Sequence, residues 1–497
     1  MKSTPSTSDA NPASNFPTLI YGTASPISLA GHSMLKSATN ITAASIKSYT
    51  SEVSTTLQAI AMLEANGFDI LDIGPLLISI AGTKETYERA FQISLASTEY
   101  PMVNDFQQKI SVTIFHAVGD ETGIISTKGT PFEGIIEDIA IERPRYFHQP
   151  DPIPRLLVSD VLRVPDDLAL LLNATKAHRL GYTGMGTKVA IVDSGFFLHP
   201  FFSERGYRIS PVVLSPGAEY PDVDDIGHGT AMAANVLSIA PDTQIIPIKM
   251  ARAGRSAIVN SVCAFNTALA LQPDVILCCW GFDLENPPLS AADQALAASI
   301  SAAVAANHIV VFSAGNGQWS FPGQHPEVIS AGGAYPLKDG GWEVSDFCSA
   351  FVSKIYPGRP VPDICGVVGN GPDGDLLLLP TQPASLIDKS RLPKASEASP
   401  EVSEDGWAIF SGTSAAAAQI SGAAAVLRQA HPDLSPSHAK QLLQACAKDV
   451  ERGQSHPRFR QEATAGPDLA TGQGVVDVHG ALLKCRVWSI TPKPMLI

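Results

Sequence analysis

A chain of 497 residues is too long for one compact core and suits two or three domains. Hydrophobic residues at 45% and charged residues at 16% describe a globular protein and exclude disorder or collagen as whole-chain readings. With 34 basic against 48 acidic residues the net charge is −14, so the chain lacks the basic footprint that nucleic acid or an anionic membrane would require, and neither is expected as a partner.

Residues 1–16 are polar and Pro/Ser-rich and read as a disordered tail, without the apolar stretch of a secretory signal. The Ala-rich run Ala291–Val311 is interrupted by Asp293, Gln294, Asn307 and His308, so no spanning helix is expected. Seven cysteines with no CxxC pair read as reduced, mostly buried thiols, and a cytoplasmic location is expected. Ser51–Ala65 carries apolar residues at helical spacing and stops at Asn66-Gly67. Short strands are predicted at Phe68–Ile73 and Leu76–Ala81. Thr83, Glu85 and Glu88 open a second helix that runs to about Phe91. Further strand-like runs occur near Ile110–Ala117 and Ile135–Ile141, which makes 17–148 a small α+β domain.

Residues 149–170 read as a Pro-rich exposed linker. From 171 to 487 the pattern changes. Strands at Lys188–Val192, Gln244–Lys249, Val275–Cys279 and Ile309–Ser313 alternate with helices after His228 and at Ile258–Leu271 and Ala291–Ala306. Such alternation implies an α/β fold, a parallel sheet with helices on both faces. Pro380, Pro383, Pro393 and Pro400 mark an inserted loop near 370–405.

Three short motifs follow in one order: Val189-Ala190-Ile191-Val192-Asp193-Ser194-Gly195, Gly227-His228-Gly229-Thr230 and Ser411-Gly412-Thr413-Ser414. Each alone reads as an ordinary turn, helix-entry loop or N-cap. Together they supply what acyl transfer by a serine needs: a nucleophile, a base, and a carboxylate that holds the base in one tautomer. Their order Asp, His, Ser is the subtilisin order, and over about 171–485 the chain resembles the subtilisin-like serine proteases. Gly181-x-x-Gly184-x-Gly186, His199-Pro200-x-Phe202 and Ala240-Pro241 before Ile245-Ile246-Pro247-Ile248-Lys249 add to the resemblance.

The resemblance implies a serine endopeptidase acting on a protein or peptide. Asp193 would orient His228, His228 would be general base and acid, and Ser414 would be the nucleophile opening the helix Ala415–Ala430. Asn316, in Val310–Gly317, would donate to the oxyanion. Cys279, Trp280, Gly281 and Gly315 would form the substrate-binding positions, with an extended peptide pairing on the edge at 279–281. Trp280 reads either as a pocket wall or as a core aromatic. The pair Cys278-Cys279 reads as buried packing. Asp222, Asp224 and Asp225 read as helix-start acids rather than calcium ligands, and no metal or cofactor is expected. Ala415-Ala416-Ala417-Ala418-Gln419 departs from the family pattern after the nucleophile, with Ala418 in place of a proline, and Cys279 stands where a serine is usual.

Met62-Leu63, Gly67-Phe68, Ile80-Ala81-Gly82-Thr83 and Tyr87–Phe91 are similar to the activation prodomain of sedolisin-type (kumamolisin-like) proteases, which implies a ferredoxin-like fold and a zymogen. In that reading residues 17–148 are an inhibitor of the chain's own cleft, with cleavage in 149–175. The other reading is a retained accessory domain. For the whole chain, the alternative to an endopeptidase is a catalytically silent peptide-binding module on the same fold.

Overall fold

The computed structural model describes residues 16–490 apart from 32, 38–39, 104–108, 121, 148–160, 254–256, 371–374 and 391–403. The first unit begins with β1 (Ile20–Pro26), followed by α1 (Val53–Ala65), β2 (Asp69–Ile73), β3 (Ile78–Gly82) and α2 (Lys84–Phe91). Thr83 caps α2 by accepting a hydrogen bond from Thr86 N at 3.2 Å, as the acidic start of that helix predicts. A two-stranded ribbon follows, β4 (Leu95–Val103) with β5 (Lys109–Ala117), then β6 (Ile124–Ser126) and β7 (Ile136–Ile141).

The strand order is β2-β3-β1-β7-β6, every neighbour antiparallel. Without the ribbon and β6 this is a βαββαβ unit, the ferredoxin-like arrangement. Leu63, Ile80, Tyr87, Phe91, Phe132 and Ile139 form a core separate from that of the second unit. Three residues after β7 the chain enters β8 (Arg145–Phe147), which leaves this sheet altogether.

The second unit starts with β9 (Val161–Arg163) and α3 (Asp166–Leu171). Then come β10 (Lys188–Asp193), α4 (His228–Ile239), β11 (Gln244–Lys249), β12 (Ala257–Ile258), α5 (Ser261–Ala270), β13 (Val275–Cys278), β14 (Trp280–Asp283), α6 (Ala291–Ala305) and β15 (Ile309–Ser313). The chain continues through β16 (Ile329–Pro336), β17 (Ile364–Val367), β18 (Leu376–Pro380), β19 (Trp407–Phe410) and α7 (Thr413–Ala430). The central strands run β11-β10-β13-β15-β16-β17, every neighbour parallel. Val192, Cys278 and Phe312 lie side by side in register, so the carboxyl ends of β10, β13 and β15 open at one edge. In open parallel sheets sites gather there.

Helix α7 is buried from Thr413 to Arg428, which its run of alanines and Gly422 allows. A Cβ on Gly422 would lie 2.7 Å from the Val236 carbonyl oxygen in α4, so glycine sets how closely these two helices pack.

Two expectations change here. The C-terminal part of the expected linker 149–170 is folded: β9 pairs in parallel with β18, and α3 follows at once. The first part of the expected insertion, Leu376–Pro380, is the middle strand between β9 and β19, mostly buried. Each segment becomes a strand because the other satisfies its backbone groups. The rest of the linker, 149–160, and residues 371–374 and 391–403 of the insertion lie outside the described residues.

Candidate active site

Asp193 ends β10 and His228 begins α4, and both are almost fully buried. The His228 Nδ1 lies 2.8 Å from Asp193 Oδ1 and 3.0 Å from Oδ2. A carboxylate that accepts here places a proton on Nδ1, the orientation that a general base working through Nε2 requires. The same Asp193 Oδ1 accepts the backbone N–H of Ser194 at 2.7 Å.

A second carboxylate fixes where His228 enters the site. Asp224 accepts from Ser194 Oγ at 2.7 Å, Gly227 N at 2.9 Å, Thr230 N at 2.9 Å and Thr230 Oγ1 at 2.7 Å. Thus one residue ties the turn after Asp193 to the start of α4, where a negative charge also suits the helix dipole. Gly229 lets the two segments touch, since a Cβ there would sit 2.2 Å from the Gly195 carbonyl oxygen. The helix-start reading of the acids holds for Asp224, while Asp225 pairs with Arg252.

Ser414 is the second residue of α7, which packs along α4, so the serine and the histidine stand in the first turns of neighbouring helices. Immediately before it, Thr413 donates through N and Oγ1 to Asn316 Oδ1, at 3.1 and 2.9 Å. These two bonds hold the Asn316 side chain against the start of α7. The Gly315 N–H also reaches Thr413 Oγ1, at 3.3 Å, which joins the turn after β15 to the start of α7. Where the sequence departs from the family pattern, Gln419 acts as a structural tie. It donates to Asn235 Oδ1 at 3.0 Å and the Val367 carbonyl at 2.8 Å, and accepts from Val367 N at 2.7 Å. Helix α7 is thereby fastened to α4 and β17.

The edge expected at 279–281 exists and is occupied by the chain's own β8. Phe147 pairs with Trp280 and Tyr146 with Gly281, while on its other side β8 pairs with β12, Tyr146 with Ala257 and Arg145 with Ile258, all antiparallel. Trp280 does not wall a pocket: its side chain is fully buried, donates to the Val192 carbonyl at 2.8 Å and meets Phe312 edge to face at 5.4 Å. Its backbone belongs to the edge and its ring to the core. Cys279 Sγ lies 3.5 Å from the Ser414 carbonyl oxygen. Burial and the nearby Asp193 charge push the thiols of Cys278 and Cys279 well up, which keeps them protonated and poor nucleophiles.

Just before β8, Glu142 reaches the start of α5, accepting from Ser261 Oγ at 3.1 Å and Val262 N at 3.2 Å. Burial pushes its carboxyl up to about 7, against the opposing pull of Arg145 and of these two donors. A raised carboxyl binds its proton more tightly in the folded form, so this contact loses stability as pH rises from about 4.5 to about 7. Glu142→Gln should therefore match the parent's melting temperature near pH 4.5 and exceed it increasingly up to pH 7. A difference that stays flat with pH would contradict this account of Glu142.

A parallel sheet whose strand ends gather an aspartate, a histidine and a serine defines a subtilisin-like α/β fold. The model of the subtilase family matches residues 184–474, well over half of the chain, and the protein belongs to that family. It is 29% identical over 293 residues to the serine protease AprX of Bacillus subtilis (strain 168), a match covering 52% of this chain and 61% of AprX. It is 28% identical over 178 residues to subtilisin Savinase of Lederbergia lenta, covering 32% of this chain and 60% of that protein. Among solved structures it resembles fervidolysin of Fervidobacterium pennivorans, described as a keratinolytic enzyme related to subtilisin, with TM-score 0.55 and 15% identity over 98% of this chain and 63% of that one. The last likeness concerns the fold alone. The chain thus spans about three-fifths of the length of AprX and of fervidolysin.

Proposed function

We propose that the protein is a serine endopeptidase made as a zymogen, with its N-terminal unit inhibiting it by laying β8 in the substrate lane. The observation that carries this reading is the pairing of β8 with both β12 and β14, the strand whose Trp280 donates to the carbonyl of Val192, the neighbour of Asp193. An extended peptide held by main-chain bonds on both sides is how a protease binds substrates of many sequences.

In the reaction the Ser414 Oγ attacks the scissile carbonyl carbon while its proton passes to His228 Nε2, and Asp193 stabilises the imidazolium that forms. The carbonyl oxygen becomes an oxyanion that receives a hydrogen bond from the Asn316 amide. The C–N bond then breaks as His228 returns the proton to the leaving amine. Water, deprotonated by the same nitrogen, attacks the acyl ester and releases the new carboxyl terminus and a free Ser414. The α7 dipole, positive towards its first turn, favours the negative charge of the intermediate.

The substrate is a protein or peptide, and the seven thiols, six of them buried, support a reducing cytoplasmic location. A tethered inhibitor meets its cleft at an effective concentration of the order of mM for short flexible tethers, so even modest affinity closes it. Tyr146 is the β8 residue paired on both sides, and proline there removes its N–H from the ladder. Tyr146→Pro in the full chain should raise hydrolysis of denatured casein at least about tenfold. An unchanged rate, with the parent already fully active, would make the first unit an accessory domain instead.

A further inference from the structure

The strand in the cleft also records what the cleft selects. Arg145 is fully buried, its Nη2 lies 2.6 Å from Asp293 Oδ1, and its guanidinium stands 5.5 Å from the centre of the Phe321 ring. A buried guanidinium is costly unless an acid meets it at close range. That acid belongs to the second unit and is rigidly held: Asp293 is the third residue of α6, in a capping box with Ser290, whose Oγ lies 2.6 Å from Asp293 Oδ2. The second cation near it, Arg143 at 3.9 Å, comes from the same segment as β8. Both positive charges therefore leave with β8 when the lane is vacated, and a buried carboxylate remains in its wall.

Main-chain ladders fix register independently of side chains, so a substrate strand that replaces β8 between β12 and β14 puts one side chain where Arg145 now lies. The lane then runs towards the reacting serine. Phe147 is in register with Trp280, and the next substrate residue would be in register with Cys279, whose Sγ is 3.5 Å from the Ser414 carbonyl oxygen. Counting the residue whose carbonyl is attacked as the first, the Arg145 pocket receives the fourth residue upstream of the cut bond.

Resting on the endopeptidase reading, we infer that Asp293 is a specificity-determining residue and that the enzyme selects substrates with arginine at the fourth position upstream of the cut. Arginine satisfies the carboxylate in the geometry already seen. Lysine meets it with a smaller, more strongly hydrated charge. An apolar or acidic side chain leaves a buried negative charge unpaired or repelled, a penalty that discriminates far better than the loss of apolar contact.

The test is to incubate the full chain, and the full chain carrying Tyr146→Pro, with a synthetic decapeptide library randomised at every position and to map the cut bonds by mass spectrometry. Arginine should be enriched about tenfold or more at the fourth upstream position. Asp293→Asn, which keeps the shape of the cap and removes the charge, should lower that enrichment at least about threefold, read as a ratio within its own cuts. Cutting without arginine enrichment, or an enrichment that survives in Asp293→Asn, overturns this inference and leaves the protease reading standing. If neither chain cuts any peptide, the protease reading falls and this inference with it. Should Asp293→Asn fail to fold, the profile of the unaltered chain still decides.

Discussion

Ser414→Ala is expected to lower kcat for peptide hydrolysis by about 10⁶-fold, the scale known for the nucleophile of subtilisin itself. The effect is that large because the remaining parts work only through this hydroxyl. His228, fixed by two contacts to Asp193, has no proton to accept without it, and the anchored Asn316 has no covalent oxyanion to stabilise. For the same reason His228→Ala should cost nearly as much, and the double replacement little more than either alone. Steady-state hydrolysis of a fluorogenic peptide by Tyr146→Pro chains provides the measurement. Losses that multiply in the double variant would show that the two residues act independently.

Asn316→Ala should lower kcat by about 10²- to 10³-fold with little change in KM, a range also taken from subtilisin. The split follows from when the bond is made: the amide meets full negative charge only after attack, so its removal spares substrate binding. The structure adds a second consequence. Asn316 Oδ1 also accepts both hydrogen bonds from Thr413, so alanine unfastens the start of α7 beside Ser414. Asn316→Asp keeps that acceptor and replaces the donor by a charge that repels the oxyanion. It should be at least as inactive as alanine while melting closer to the parent. If kcat recovers in Asn316→Asp, the residue acts by holding Thr413 and not by donation.

Asp193, His228, Asn316 and Ser414 could be singled out as candidates because each lies in a short glycine-flanked motif whose demands are local, and because the three triad candidates follow in one order. The first unit was legible for a similar reason: its helices and strands alternate with clear stops, such as Asn66-Gly67 after α1. What escaped depends on partners remote in the chain. Val161–Arg163 and Leu376–Pro380 lie among prolines and read as connection and insertion, yet each supplies the backbone partners that make the other a strand. Strand β8 has three residues and no periodicity, so only its two ladders define it. Asp293 registered as a break in an alanine-rich run, because its counterion Arg145 comes from the other unit. Asp224 carried a signal, acids just before His228, and the helix-start reading found its role without foreseeing the bond to Ser194. For Trp280 the sequence left wall and core open, since no local pattern says which way a side chain faces at the end of a strand.

The most direct measurement for the account as a whole is covalent labelling of the Tyr146→Pro chain by a fluorophosphonate, read by peptide mass spectrometry. The reagent phosphonylates only a serine activated by a neighbouring base. The account predicts a single adduct on Ser414, abolished in Ser414→Ala and reduced to background in His228→Ala. A folded chain that takes no label, or that is labelled equally with alanine at 414, would contradict it.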